Sequence, residues 1–109
     1  MDIRSDNEQI LTDLKKIIED TGGDSILKMV LYGSRARGDY DVESDIDIAV
    51  IVRGLTRELK NRLLDAVADI ELTYLVPLSV LVLSEEDFEF LKKRERRIAL
   101  DMEKEGIPL

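Results

Sequence analysis

The sequence predicts one small α/β (α+β) domain in which helices flank a short mixed sheet. With 109 residues, the chain has room for one hydrophobic core. Segments with apolar residues three and four positions apart alternate with short apolar runs typical of strands. Their order is helix, strand, strand, helix, strand, helix, and we expect them to form a single domain over residues 1–109.

The first predicted element is an amphipathic helix. Ser5 and Glu8 have the spacing of a capping box, which predicts the N-terminus of the helix at this point. The apolar residues that follow at helical spacing are Ile10, Leu11, Leu14, Ile17 and Ile18. Gly22 and Gly23 are expected to end the helix, because glycine favours helix C-termini.

Two apolar runs predict the first two strands. They cover Ile26 to Tyr32 and Ile46 to Val52. Side chains alternate between the two faces of a strand, so every second residue of the later run should face the core. Those residues are Ile46, Ile48, Val50 and Val52.

Arg53-Gly54 is expected to end the second strand, and Thr56 to cap a second helix. The apolar positions of that helix are Leu59, Leu63, Val67 and Ile70. A third strand is predicted from Val76 to Leu83, with the apolar centre from Val80 to Leu83 buried on both faces.

The last predicted element is a helix that Ser84 and Asp87 can cap. Its inward-facing apolar residues are expected to be Phe88, Leu91, Ile98 and Met102. Gly106 and Pro108 should end it.

Composition excludes several classes of chemistry. The chain has no cysteine and no histidine, so thiol catalysis, disulfides, histidine triads and imidazole or thiolate metal sites are impossible. A net charge of -8 argues against direct nucleic-acid binding and favours a basic protein partner or a bound metal ion. Neither a signal peptide nor a membrane span is apparent, so a cytoplasmic protein is expected.

One constellation indicates phosphate and metal chemistry. Gly33 and Ser34 follow the first strand, and Asp45 and Asp47 come at the second. Alternation puts both carboxylates on one strand face with their bases roughly 6.5 Å apart, close enough to share a divalent cation. Glycine lets the backbone approach a phosphate, and carboxylate oxygens suit magnesium. Together these residues predict a site that handles a nucleoside triphosphate.

The segment from Gly33 to Asp47 resembles the signature of the minimal nucleotidyltransferases, which belong to the DNA polymerase beta-like superfamily. That signature is Gly-Ser, ten residues and Asp-x-Asp, and the match is complete. The resemblance implies transfer of a nucleoside monophosphate from a triphosphate to a hydroxyl. It implies that Gly33 and Ser34 contact the triphosphate, and that Asp45 and Asp47 are the catalytic residues that bind Mg²⁺.

Arg35 and Arg37 are nucleotide-binding candidates beside the same turn. Their planar guanidinium groups suit triphosphate oxygens. They could equally pair with the acidic residues of the same segment, and the sequence leaves both interpretations open. Those acidic residues are Asp39, Asp41 and Glu43.

The sequence departs from the superfamily in one respect. Members commonly supply a third carboxylate from the strand after the second helix, but Pro77 to Leu83 contains no acid. Ser79 is expected near that place. Glu71, Glu85 and Glu86 are the nearest acids, and Glu71 is expected to be a solvated helix residue. Either Glu71 or an acid from a partner could replace the missing group.

Two further groups of residues have structural explanations as well as functional ones. A basic cluster near the last helix could face RNA or an acidic partner, but it is expected to be a solvated face with a Glu89–Lys93 pair. Its members are Lys92, Lys93, Arg94, Arg96 and Arg97. Tyr32 and Tyr40 could stack on a base, although Tyr32 is expected to lie in the core.

The resemblance also implies a biological role. Stand-alone minimal nucleotidyltransferases are often antitoxins of HEPN-domain ribonucleases. The leading hypothesis is therefore a type VII-like antitoxin that moves AMP from ATP to a tyrosine of a HEPN toxin with Mg²⁺ as cofactor. Two alternatives remain open: an inactive antitoxin that neutralises its toxin by binding alone, and a nucleotidyltransferase with a small-molecule acceptor and a helper subunit.

Overall fold

A computed structural model describes most of the chain. It covers the backbone of residues 3–32, 46–94, 104 and 106–109, with side chains from Glu8 onward. The helices are α1 (Ile3–Gly22), α2 (Arg57–Tyr74) and α3 (Glu85–Lys93). A 3-10 turn, Gly23–Ser25, links α1 to the sheet.

The sheet is mixed. Its strands are β1 (Ile26–Tyr32), β2 (Ile46–Val52), β3 (Leu78–Ser84) and β4 (Ile107–Pro108). Within the described residues the spatial order is β3-β2-β1-β4. β2 runs antiparallel to β1 and parallel to β3, and β4 runs antiparallel to β1. The predicted fold class is confirmed.

The main core lies between one sheet face and the helices α1 and α2. Alternate residues of β2 point into it, as predicted, and each is at most 1% exposed. Leu14 of α1 and Leu63 of α2 meet them and are fully buried. The opposite face is covered by α3, whose Phe88 packs on Ala49 and Ile51. The sheet is therefore a middle layer with different helices on its two sides.

Several local signals are confirmed at the predicted residues. β1 and β2 have the predicted bounds. The Thr56 side chain accepts a hydrogen bond from the Leu59 amide, and Ser84 accepts one from the Asp87 amide. α1 ends at Gly22, and Gly23 adopts a φ of +56°, a conformation that glycine reaches without steric cost.

Two predicted boundaries are wrong. α1 begins at Ile3, so Ser5 lies inside the helix and is not its N-cap. β3 begins at Leu78 and ends at Ser84, and its centre is half-buried except at Val82. The centre of β3 is half-buried because β3 is the outermost of the described strands, so only one of its edges is paired.

The C-terminal segment also differs from the prediction. Ile107 and Pro108 pair with Leu31 and Val30 as a short fourth strand that the sequence did not predict. Proline is tolerated there because β4 is an edge strand. α3 ends at Lys93, and the predicted inward residues Ile98 and Met102 lie outside the described residues.

Leu75 ends α2 in a left-handed conformation. Its φ is 54° and its ψ 42°, and the side chain is 84% exposed. A Cβ in this region costs about 1–2 kcal/mol, which outweighs the extra chain entropy of glycine at about 0.5–1 kcal/mol. We therefore expect Leu75→Gly to raise the free energy of unfolding by up to about 1 kcal/mol.

Urea denaturation tests this expectation against a matched control. Leu72 is also exposed but lies inside α2, where glycine costs about 1 kcal/mol. Leu72→Gly should therefore lower the free energy of unfolding. Equal destabilisation by both variants would show that the Leu75 backbone is not strained.

Tyr74 links α2 to α1, because its hydroxyl donates a hydrogen bond to the Asp13 carboxylate. This hydrogen bond, then burial and the Asp13 charge, raise the pKa of Tyr74 above its ordinary value of 10.0. A raised tyrosine pKa means that the interaction stabilises the fold below about pH 10 and is lost as pH rises through the folded-state pKa.

The stability difference between wild type and Tyr74→Phe should therefore be constant from neutral pH to about pH 10 and shrink above it. Urea denaturation at a series of pH values measures this difference. A difference that stays constant into strongly alkaline solution would contradict the role of the phenol proton.

Candidate active site

Asp47 is the predicted site residue that the structure describes. It is the second residue of β2, and its neighbours Ile46 and Ile48 are buried in the main core. Side-chain alternation therefore directs Asp47 to the opposite sheet face, as predicted, and the residue is half-buried there. The core residues of β2 thus fix the direction of its acid.

Asp47 is the middle member of a row across three strands. Its register partners are Tyr32 on β1 and Ser79 on β3. Residues paired in this way project from the same face, and neighbouring strands lie about 4.8 Å apart. Tyr32 is half-buried and Ser79 is exposed. We call Tyr32, Asp47 and Ser79 the lateral row.

Tyr32 is the more buried of the two hydroxyl residues of the lateral row. Burial, followed by the negative charge of Asp47, raises its pKa above 10.0. The phenol is therefore neutral near pH 7 and can donate a hydrogen bond. Its ring packs against the group of Ala49, Ile51 and Phe88, which agrees with the predicted core position.

Ser79 occupies the lateral position on β3 directly beside Asp47. This agrees with the prediction that a serine lies near the place of the third carboxylate. In the described part of the chain, no three acidic residues come together in a way that could hold a metal ion. Asp47 offers carboxylate oxygens next to an exposed neighbour, which fits one ligand of a hard cation such as Mg²⁺.

Glu71 differs from its prediction as a solvated helix residue. It is half-buried, and its Oε2 accepts a hydrogen bond from the Leu78 amide at 3.3 Å. The physical reason is that the first residue of β3 needs an acceptor for its N–H, and the end of α2 supplies one. α2 packs on the sheet face opposite Asp47, so Glu71 lies away from the lateral row.

The other predicted site residues lie outside the described part of the chain. They are Gly33, Ser34, Arg35, Arg37 and Asp45. Their assignment to the triphosphate and to Mg²⁺ therefore stays a prediction. It depends on the sequence between the end of β1 and the start of β2, whose two flanking strands have the predicted bounds.

The basic residues of α3 make contacts with their own helix. Lys92 donates to Glu89 at 3.3 Å, so the predicted Glu89–Lys93 pair is replaced by one three residues apart. Lys92 also lies over the Phe88 ring, and Arg94 lies over Phe90. These contacts support a solvated helix face. Arg96, Arg97 and Tyr40 lie outside the described residues.

Sequence reasoning considered Tyr32 as a base-stacking candidate or a core residue, but it did not predict that Tyr32 pairs with Asp47. Alternation along a strand shows which residues share a face, but not which residues of two strands are paired. The connection between β1 and β2 spans residues 33–45, too long for turn type to fix the register. The only available signal was the position of Tyr32 immediately before Gly33.

Comparison with known proteins gives the family of the chain. Residues 11–104 match the model of the nucleotidyltransferase domain family. This match covers most of the chain, which therefore belongs to that polymerase beta-like family. Nucleotidyl transfer is the general activity of the family.

Two individual relatives agree with the family. A Methanocaldococcus jannaschii protein named "Putative protein adenylyltransferase" is 32% identical over 75 residues, which cover 68% of this chain and 76% of the relative. A crystal structure of "a putative nucleotidyltransferase from Sulfolobus solfataricus" has 24% sequence identity to this chain and a TM-score of 0.50. The match covers 95% of this chain and 85% of the chain in that structure, and it supports the fold.

No helix in the described part of the chain is long and apolar enough to cross a membrane.

Proposed function

We propose that this protein is a Mg²⁺-dependent adenylyltransferase that moves AMP from ATP to a tyrosine hydroxyl of a HEPN-type toxin, and so acts as a type VII-like antitoxin. The observation that supports it most directly is Asp47, which projects from the sheet beside an exposed position in a nucleotidyltransferase domain. The relative named as a protein adenylyltransferase supports a protein acceptor. The toxin partner rests on the minimal nucleotidyltransferase signature.

The residues of the chain divide the work of the reaction. Gly33 and Ser34 bind the triphosphate, with Arg35 and Arg37 available for its oxygens. Asp45 and Asp47 would hold Mg²⁺, which would supply positive charge to the triphosphate and its pyrophosphate leaving group. The acceptor hydroxyl approaches the α-phosphate over the exposed end of the lateral row. The acceptor itself must come from another molecule.

The test incubates the purified protein with Mg²⁺, α-labelled ATP and the product of the adjacent gene. Label on a tyrosine of the partner is the expected result, and it should disappear when EDTA replaces Mg²⁺. The other nucleoside triphosphates, in parallel reactions, identify the preferred donor. A neighbouring product that is not labelled with any triphosphate would overturn the protein-transfer proposal.

A second candidate function is neutralisation by binding alone. The observation that favours it is Ser79, because a neutral hydroxyl lies beside Asp47 where the superfamily commonly has an acid. General-base assistance is worth about 10²–10⁴ in rate, so its loss would slow transfer strongly. A tight complex that blocks the toxin without label would favour this candidate. A labelled metabolite instead of a labelled protein would favour a small-molecule acceptor.

A further inference from the structure

Ser79 is the member of the lateral row in which three properties occur together. Its side chain is a primary alcohol, it is exposed to solvent, and it projects from the same face as Asp47 on the neighbouring strand. A nucleotidyltransferase joins a nucleoside monophosphate to a hydroxyl. The protein thus holds a hydroxyl of its own at the point where an acceptor hydroxyl must arrive.

The distance between the strands allows a reaction at this position. Neighbouring strands lie about 4.8 Å apart. A phosphate held at the Asp47 carboxylate therefore lies within reach of the side chain that is paired with Asp47. No rearrangement of the sheet is needed, because β2 and β3 are in parallel register along the whole of β3.

We propose that Ser79 is a self-modification site that receives a nucleoside monophosphate from a bound nucleoside triphosphate. This inference rests on the proposed nucleotidyltransferase function. The Ser79 Oγ attacks the α-phosphorus, and an Oγ–P bond forms as the bond from that phosphorus to the bridging oxygen breaks. Pyrophosphate leaves with the bond electrons, and the hydroxyl proton passes to water. The product is a serine phosphodiester beside Asp47.

Two rate factors determine whether transfer to Ser79 is fast enough to detect. Absence of a general base costs about 10²–10⁴ in rate. A permanently positioned intramolecular nucleophile can have an effective molarity of about 10⁵ M or more. Even partial alignment of Ser79 offsets the missing base. The reaction occurs once per molecule, and its product then occupies the place where an external acceptor approaches.

The choice of Ser79 over Tyr32 follows from exposure and packing. Tyr32 is half-buried against Phe88 and the neighbouring β2 residues, which restricts the movement of its ring. Ser79 lies on the outermost described strand, where only its β2 side is paired.

The experiment uses the full chain without a partner, with Mg²⁺ and each α-labelled nucleoside triphosphate in turn. Intact-mass measurement should show a gain of one nucleoside monophosphate, and peptide mapping should locate it on Ser79. Ser79→Ala and Asp47→Asn should each lose the adduct. Asp65→Asn, which removes an exposed charge from α2 on the opposite side of the sheet, should retain it, and Ser79→Thr, which keeps a hydroxyl, should retain part of it.

Two further measurements show whether a variant has lost only the acceptor hydroxyl or has also lost nucleotide binding or its fold. Calorimetry with a non-hydrolysable ATP analogue and Mg²⁺ should give the same Kd for Ser79→Ala and wild type, because the serine is a nucleophile rather than a nucleotide ligand. Thermal unfolding of each variant should match wild type. An exposed Ser79→Ala substitution is not expected to disturb the fold.

The result also distinguishes this inference from the proposed function. A parallel reaction contains the adjacent gene product. Label on that partner without an adduct on Ser79 would overturn self-modification and leave the adenylyltransferase proposal intact. An adduct on Tyr32, or one that persists in Ser79→Ala, would also overturn the inference. Absence of label from both proteins with every triphosphate would overturn both proposals.

Discussion

Replacement of Asp47 with Asn is expected to lower kcat/KM for nucleotidyl transfer by about 10³-fold or more. The substitution keeps the size of the side chain and removes the charge that we propose holds Mg²⁺ against the triphosphate. Loss of one preorganised electrostatic contact in an active site typically costs about 10²–10³ in rate, and loss of a metal ligand also weakens binding of the metal itself. The measurement is transfer of label from α-labelled triphosphate to the partner.

A matched control separates the loss of charge at the site from the change in net charge of the protein. Asp65 is an exposed acid of α2, the helix on the opposite side of the sheet, so Asp65→Asn makes the same change in net charge away from the site. It should retain wild-type transfer. If Asp47→Asn stays within about tenfold of wild type, Asp47 is not the metal ligand. Protection from the toxin by an inactive Asp47→Asn variant would establish neutralisation by binding.

The elements that sequence predicted well have purely local causes. β1 and β2 are mostly apolar runs, each with one charged residue inside, and they are bounded by glycine, serine or charged residues, so their bounds follow from composition. The Thr56 and Ser84 caps depend on side-chain contacts only three residues away. Asp47 belongs with these successes, because its direction follows from the buried residues beside it.

The features that sequence could not predict depend on distant residues. β4 has two residues, too short for a periodic pattern, and exists through its pairing with Val30 and Leu31. The half-buried centre of β3 follows from its outer position in the described sheet. Glu71 was predicted to be a solvated helix residue. Its carboxylate accepts a hydrogen bond from the amide of Leu78, seven residues later, and the helical pattern alone does not indicate this contact.

The same distinction applies to the site. The Asp-x-Asp spacing fixes which face its acids share, but the lateral row of Tyr32, Asp47 and Ser79 depends on the register of three strands. Because of that register, Ser79 is the residue of β3 beside Asp47, and it is therefore the position at which β3 lacks an acid. The site can therefore be altered at one defined position.

Replacement of Ser79 with Asp is expected to raise the rate of transfer to the partner by about 10–10²-fold. The new carboxylate would project beside Asp47, where it can act as a base toward an acceptor hydroxyl and as an additional oxygen ligand for Mg²⁺. General-base assistance is worth about 10²–10⁴ when fully positioned, and a substituted side chain should recover the lower part of that range. The measurement is single-turnover labelling of the partner at saturating triphosphate.

Ser79→Asn is the control, because it has nearly the same shape as Asp but neither negative charge nor basicity. A second readout does not depend on activity. Like charges on directly paired strand residues repel, so Ser79→Asp should melt below Ser79→Asn without metal, and added Mg²⁺ should raise its melting temperature more. Equal rates and equal Mg²⁺ responses in the two variants would mean that Ser79 does not face the metal, despite its register with Asp47. A Mg²⁺ response without a faster rate would show that the missing acid is a metal ligand and that the acceptor proton leaves by another route.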